Sequence, residues 1–193
     1  MRRSLLSLSV LFFLLPVGWR PLAAQEGATL FLVRHAERAD DVPGDPAMSM
    51  DPRLAQDPPL SEAGQLRAAL LARMLMDAGI THVHSTDYRR TRDTAAPTAE
   101  AVGVELEIYD PSDPEGLART LLATGGRHLV VGHSNTIPDL VAALGGDPGP
   151  PIESLEYDRL YVVTLEEGRV RTILLRYGEA SMAPDGVRRQ SSP

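Results

Sequence analysis

Arg34-His35-Ala36-Glu37 sets a guanidinium directly beside an imidazole. A neutral imidazole is a good nucleophile toward phosphorus, and its phosphorylated form is reactive enough to be hydrolysed. An adjacent arginine neutralises phosphoryl oxygens with forked hydrogen bonds. Alone, the dipeptide also reads as a strand-terminal pair satisfied by local carbonyls. A second stretch, Ser85 to Ala95, carries Arg89, Arg90 and Arg92. It falls where an apolar run gives way to a helical pattern, and free N–H groups at such a junction favour anions. Arg90 and Thr94 are four apart and share a helix face, whereas Arg89 and Arg92 read as a solvated face. The third stretch is Gly132-His133-Ser134-Asn135. There His133 can donate to an anion at a helix start, or simply sit in a cap region with Ser134 or Asn135 as the cap.

The elements that must position these residues alternate along the chain. Thr29–Val33 reads as a buried strand, followed by an Asp-, Pro- and Met-containing loop from Asp40 to Pro59. Ser61 is the expected N-cap of a helix with Leu66, Leu70, Met74 and Leu75 inward and Gly79 as its stop. Ile80–His84 is a short strand, residues 90–102 a helix despite Pro97, and Val104–Ile108 an alternating strand near an edge. Asp113-Pro114-Glu115 has the cap, first-turn proline and acid of a helix start. His128–Val131 is another buried strand, and a helix is expected from Thr136 to Leu144. Tyr161–Leu165 and Val170–Leu175 read as an antiparallel hairpin. The expected fold is α/β: a three-layer α/β/α sandwich around a mostly parallel sheet, with a C-terminal antiparallel hairpin. Ligands bind such sheets beyond the carboxyl ends of the strands. Arg34-His35, Ser85 to Arg90, Asp110 and His133 all follow strands, so one rim receives them.

Taken in order, these segments resemble the histidine phosphatase superfamily, phosphoglycerate mutase-like and closest in pattern to its small phosphohistidine-phosphatase branch. Pro59-Leu60-Ser61-Glu62-Ala63-Gly64 is similar to that family's Leu-Thr-x-x-Gly helix start. The resemblance runs from Thr29 to Leu144. It implies His35 as nucleophile, Arg34 and Arg90 as phosphate ligands, His133 as a fourth pocket member, and neither metal nor organic cofactor. Two positions depart from the pattern. Ala36 stands where the family usually has glycine, and Ser134 stands where the phytase-like branch has an aspartate. A phosphate ester also needs its leaving oxygen protonated, which a carboxylic acid can do. Asp110 ends the third strand, where mutase-like members keep their acid, and reads equally as a turn residue before Pro111. Glu105 and Glu107 alternate with apolar residues and are expected to face solvent.

Two competing readings stay open. One is a metal-dependent hydrolase using His35, His82, His84 and His133, since His82 and His84 share a strand face. The other is a phosphate-binding module with little turnover. The expected partners are small phosphorylated substrates or a phosphoprotein; the substrate itself and the oligomeric state are not read from the sequence.

The start of the chain has a positive Met1-Arg2-Arg3, an apolar run from Leu5 to Val17, and small residues at Ala23 and Ala24. That is the layout of a cleaved export signal. It divides the chain into a signal at 1–24, a domain at 25–178 and an Arg-, Ser- and Pro-containing disordered tail at 179–193. The expected destination is periplasmic or extracellular, without stable membrane insertion after cleavage. The full chain has 19 basic and 26 acidic residues, and losing the three arginines of the signal leaves a net charge of −10. Such a body is a poor general binder of nucleic acid. With no cysteine in the chain, disulfides and thiolate chemistry are excluded.

Overall fold

The computed structural model describes residues 27–48, 54–166 and 168–181, so the signal reading and the tail beyond residue 181 lie outside the described residues. Six strands are seen: β1 (Ala28–Arg34), β2 (His82–Ser85), β3 (Leu106–Ile108), β4 (Gly126–Gly132), β5 (Arg159–Glu166) and β6 (Arg169–Arg176). They form one sheet in the order β3-β2-β4-β1-β5-β6. The first four are mutually parallel, while β5 runs antiparallel to both β1 and β6. The four helices are α1 (Glu62–Leu75), α2 (Arg89–Val102), α3 (Pro114–Thr124) and α4 (Thr136–Ala143).

Strands covered on both faces read as continuous apolar runs, and the two central strands do. Leu30, Leu32 and Val130 face α3 and α4, meeting Ala118, Leu121, Ile137 and Leu140. Val33, Leu129 and Val131 face the other way, onto Leu71 and Leu75 of α1 and Ala95 and Ala99 of α2. Each such side chain contributes roughly 1.5–3 kcal/mol by leaving water. This rigid centre ends, at the carboxyl tips of β1 and β4, in Arg34-His35 and Gly132-His133. The three-layer sandwich with its terminal hairpin is therefore observed.

The helix starts are built as their residues dictate. Ser61 accepts from the Gly64 N–H at 3.2 Å, Asp113 accepts from the Gly116 N–H at 2.8 Å, and Gly103 closes α2 at φ 72°. The inward face of α1 differs from expectation. Leu66 and Met74 are exposed, and Gly64, Arg67, Ala68, Leu71, Ala72 and Leu75 are buried. The rotation has a cause at its first turn. A Cβ on Gly64 would lie 2.2 Å from the Glu37 carbonyl oxygen, so only glycine lets α1 approach the loop after β1. Arg67 then sits inside, donating to the Glu37 carboxylate at 2.7–2.9 Å and to the Tyr177 and Glu179 carbonyls at 2.6 and 2.8 Å. Order also continues past Gly178. The buried Ser181 hydroxyl accepts from the Tyr157 and Asp158 N–H groups.

Candidate active site

The loop after β1 fixes His35 in a defined protonation geometry. Its Nδ1 lies 2.8 Å from the Ala36 carbonyl, which can only accept. Nδ1 therefore carries the proton in the neutral ring, and Nε2 keeps its lone pair. Burial, then the charge of Arg34, pull the His35 pKa well below the ordinary imidazole value, with Arg90 and His133 adding to the effect. The ring stays neutral. Ala36 fits where the family pattern has glycine because its methyl packs into a small cluster with Leu60 and Ala68. Its N–H donates to Thr94 Oγ1 at 3.0 Å, and that hydroxyl donates to the Arg90 carbonyl at 2.7 Å. Thr94 thus ties the nucleophile loop to the turn of α2 that carries Arg90.

Arg34 is buried and stacked 4.1 Å from the centre of the Tyr157 ring. Its Nη1 donates to the Glu153 and Glu156 carbonyls at 2.9 and 3.0 Å. Those carbonyls are held in turn because Glu156 is fully buried and takes two hydrogen bonds from Arg159, both 2.8 Å. Burial alone would raise the Glu156 carboxyl, but bonds from Arg159 and Arg176 hold it down at about 2. Arg34 Nη2 also donates to the Tyr157 hydroxyl at 3.4 Å, so two of its nitrogens are spent on the scaffold, while Nε is buried with no hydrogen-bond partner. Arg90 repeats the pattern. Its guanidinium lies 4.4 Å from the centre of the Tyr88 ring, Nη1 meets Asp57 at 3.4 Å, and Nε is buried and unpartnered.

His133 stands edge-on to His35, ring centres 5.5 Å apart. Its Nε2 is 2.9 Å from Thr86 Oγ1, which is 2.9 Å from Thr91 Oγ1. Thr91 lies 2.8 Å from the Tyr88 carbonyl and 3.0 Å from that of Thr86, both pure acceptors. Thr91 thus donates there, Thr86 donates to Thr91, and His133 Nε2–H donates to Thr86. Nδ1 remains for a ligand. Burial first, then Arg90 and Arg34, lower the His133 pKa to about 4; an arriving phosphoryl dianion reverses that field.

Arg34, His35, Arg38, Arg90 and His133 line one cavity of about 380 Å³, with Tyr88, Pro111 and residues 134–136 completing its wall. Four of the five residues expected at the site are therefore brought together. Asp110 is not. It is fully exposed, and its carboxylate accepts from the Ser112 N–H at 2.9 Å and the Ser112 hydroxyl at 2.7 Å. Those bonds hold its pKa below the usual carboxylate range, the wrong direction for a proton donor. Glu107 is also elsewhere, 3.0 Å from His82 on the sheet face. The metal reading of His35, His82, His84 and His133 fails on placement. His82 and His84 stack with His128 instead, and no described His, Cys, Asp or Glu group is arranged to hold a metal ion. Arg38, Thr86, Tyr157 and Asp57 were not singled out by their residue patterns. Thr86 had a local signal, standing directly after β2, but Tyr157 and Asp57 arrive from segments with none.

A model of the histidine phosphatase superfamily (branch 1) matches residues 30–111. The probable phosphoglycerate mutase GpmB of Yersinia enterocolitica is 34% identical over 82 residues, 42% of this chain and 35% of that protein. GpmB of Serratia proteamaculans is 47% identical over 55 residues, 28% of this chain and 25% of its own. The matched segment thus spans about a third or less of these relatives. Among solved structures, the protein histidine phosphatase SixA complexed with tungstate superposes with a TM-score of 0.57 at 20% identity, covering 77% of this chain and 96% of that one. A mycobacterial glucosyl-3-phosphoglycerate phosphatase gives 0.58 at 18% identity, covering 79% and 99%. These two likenesses establish the shared fold. Over residues 30–111 the chain is thus similar to the histidine phosphatase superfamily.

Proposed function

We propose that this protein is an exported, metal-independent phosphatase that transfers a phosphoryl group to His35 and then to water. One observation carries the reading. Two arginines, each with a buried Nε–H that has no protein partner, line one cavity together with a neutral, oriented imidazole and His133. In the first step the His35 Nε2 lone pair forms a bond to phosphorus while the bond to the leaving group breaks. Arg34 and Arg90 neutralise the equatorial oxygens as charge shifts. Water then attacks the phosphohistidine, restoring Nε2 and releasing inorganic phosphate. No described carboxylate lines the cavity, so the leaving group takes its proton from solvent. That favours groups that depart readily, such as the imidazole of a phosphohistidine or an aryl oxide, over simple alkoxides. Export rests on the positive start and apolar run before Ala24.

The test is to mix the mature chain with an aryl phosphate, quench within one turnover, and map label to a peptide. An acid-labile, base-stable phosphate on the His35 peptide, formed equally with and without chelator, is the expected result. Turnover with no such intermediate would overturn the covalent route.

A further inference from the structure

We propose that Asp57 is a specificity-determining residue that biases the pocket toward phosphates whose remaining part carries no second negative charge. The inference rests on the phosphatase reading and adds its substrate class. Asp57 belongs to the loop between β1 and α1, far in sequence from the residues it meets. Both its carboxylate oxygens accept from the Arg89 N–H, at 3.0 and 2.9 Å, which caps the first turn of α2. Oδ1 also lies 3.4 Å from Arg90 Nη1. The carboxylate therefore sits against the guanidinium of an arginine that lines the cavity. The other cation on the cavity wall, beyond Arg34 and Arg90, is Arg38. It is met by Asp40 at 3.1 Å and by Asp41 at 2.9 Å. Arg89 faces Asp93 at 3.5 Å. Beside Arg34 and Arg90, these contacts thus involve four carboxylates, Asp40, Asp41, Asp57 and Asp93, and two further guanidiniums, Arg38 and Arg89. One phosphoryl group meets positive charge, while a second anion on the same molecule meets Asp57 and its neighbours. A half-exposed carboxylate acts on such a charge through a partly solvated medium, so the bias is moderate and depends on salt.

Glycerol 3-phosphate and 3-phosphoglycerate share a carbon skeleton and differ by one carboxylate, so they isolate the effect. Wild-type kcat/KM should favour glycerol 3-phosphate by about tenfold, and roughly 0.5 M salt should shrink the ratio because screening acts only on the charge. Asp57→Asn keeps an oxygen for the Arg89 N–H and removes the charge. The ratio should then fall about fivefold, the size expected for one charge roughly 8 Å away in a half-solvated medium. Affinities of the same two compounds for the His35→Ala variant, read by calorimetry, give the ratio without turnover. If the wild type hydrolyses neither compound nor any aryl phosphate, the phosphatase reading fails while calorimetry still decides the bias. A wild-type preference for 3-phosphoglycerate, or a ratio unmoved by both Asp57→Asn and salt, would overturn the proposal.

Discussion

The five histidines of the chain fall into two clusters, and their difference separates chemistry from packing. His35 and His133 stand edge to edge at the carboxyl tips of β1 and β4. His82, His84 and His128 lie on the faces of β2 and β4, stacked at 4.8–6.1 Å with interplanar angles of 14–21°. Both clusters use β4 and one of its two neighbours, and burial lowers the imidazole pKa in both. In the stack, ring nitrogens answer one another. His84 Nε2 meets His128 Nδ1 at 3.0 Å, His128 Nε2 meets the Gly125 carbonyl at 2.7 Å, and His82 meets Glu107 at 3.0 Å. The tip cluster instead lines a cavity with His35 and with two arginines whose buried Nε–H groups have no protein partner. Proximity of histidines is common to both; unspent donors and lone pairs belong to one.

The widest break between the clusters comes from paired substitutions. His35→Ala should lower the rate on an aryl phosphate by at least about 1000-fold, since a covalent route supplies several kcal/mol. His84→Ala should leave kcat within about threefold and instead cost roughly 1–3 kcal/mol of stability, because it strands His128 Nδ1. Steady-state rates and urea midpoints on both variants check this. A rate loss in His84→Ala matching that in His35→Ala would erase the distinction.

Arg90→Lys comes next. It keeps the charge but loses the planar fork and the buried Nε–H, so the rate should fall more than tenfold. Arg92 ion-pairs with Asp87 at the surface, and Arg92→Ala should change the rate by less than about threefold. The reverse ranking would place the phosphate on the wrong turn of α2.

How much of this was legible depends on where each partner comes from. The apolar runs of β1 and β4 and the caps Ser61 and Asp113 are local signals, and the fold follows from them. Arg34, His35, Arg90 and His133 were legible because strand tips in a parallel sheet converge. The buried face of α1 was not. Arg67 looks like a surface residue until the Glu37 carboxylate and the Tyr177 carbonyl are folded around it. Asp110 misled for a related reason: a carboxylate at a strand end either enters the rim or closes a turn, and Ser112, two residues on, decided for the turn. Tyr157 comes from the loop before β5, more than a hundred residues from Arg34, and nothing near either residue announces their contact.

Acid should sharpen the comparison through two readouts. The folded-state pKa of His84 is lowered to about 4, by burial first and by His128 and His82 against the pull of Glu107. The unfolded chain then binds more protons below the ordinary imidazole pKa, so stability is full above about 6.5 and is lost as pH falls toward 4. The loss from this residue should be about 1–3 kcal/mol, measured by urea unfolding across that window. His84→Ala should flatten the profile. Because the His35 pKa of the empty pocket is held well below the ordinary imidazole value, the acid limb of kcat/KM, which reports the free enzyme, should lie below about 6.5. An acid limb of kcat/KM at or above about 6.5 would mean that the empty-pocket field of Arg34 and Arg90 does not act on the nucleophile.

The smallest effect is expected at Glu107, on the rim of the stack. Its carboxylate lies 3.0 Å from His82 Nδ1 and 3.6 Å from His84 Nδ1, and its side chain is 52% exposed. The hydrogen bond from His82 comes first among the causes that lower its pKa, with burial opposing. A depressed carboxylate stabilises the fold above its unfolded pKa and loses that contribution as pH falls through the folded value. Exposure to solvent limits the contribution to about 0.5 kcal/mol or less at neutral pH. Glu107→Gln keeps an oxygen for His82 and removes the charge, so kcat should stay within about twofold and the urea midpoint should barely move. Losing the negative charge should also lower the His84 pKa further, because Glu107 is the group raising it. Imidazole titration by NMR reads that shift directly. A stability loss above about 2 kcal/mol at neutral pH would instead make the stack a charged, desolvated assembly, and its resemblance to the tip cluster would run deeper than shared burial.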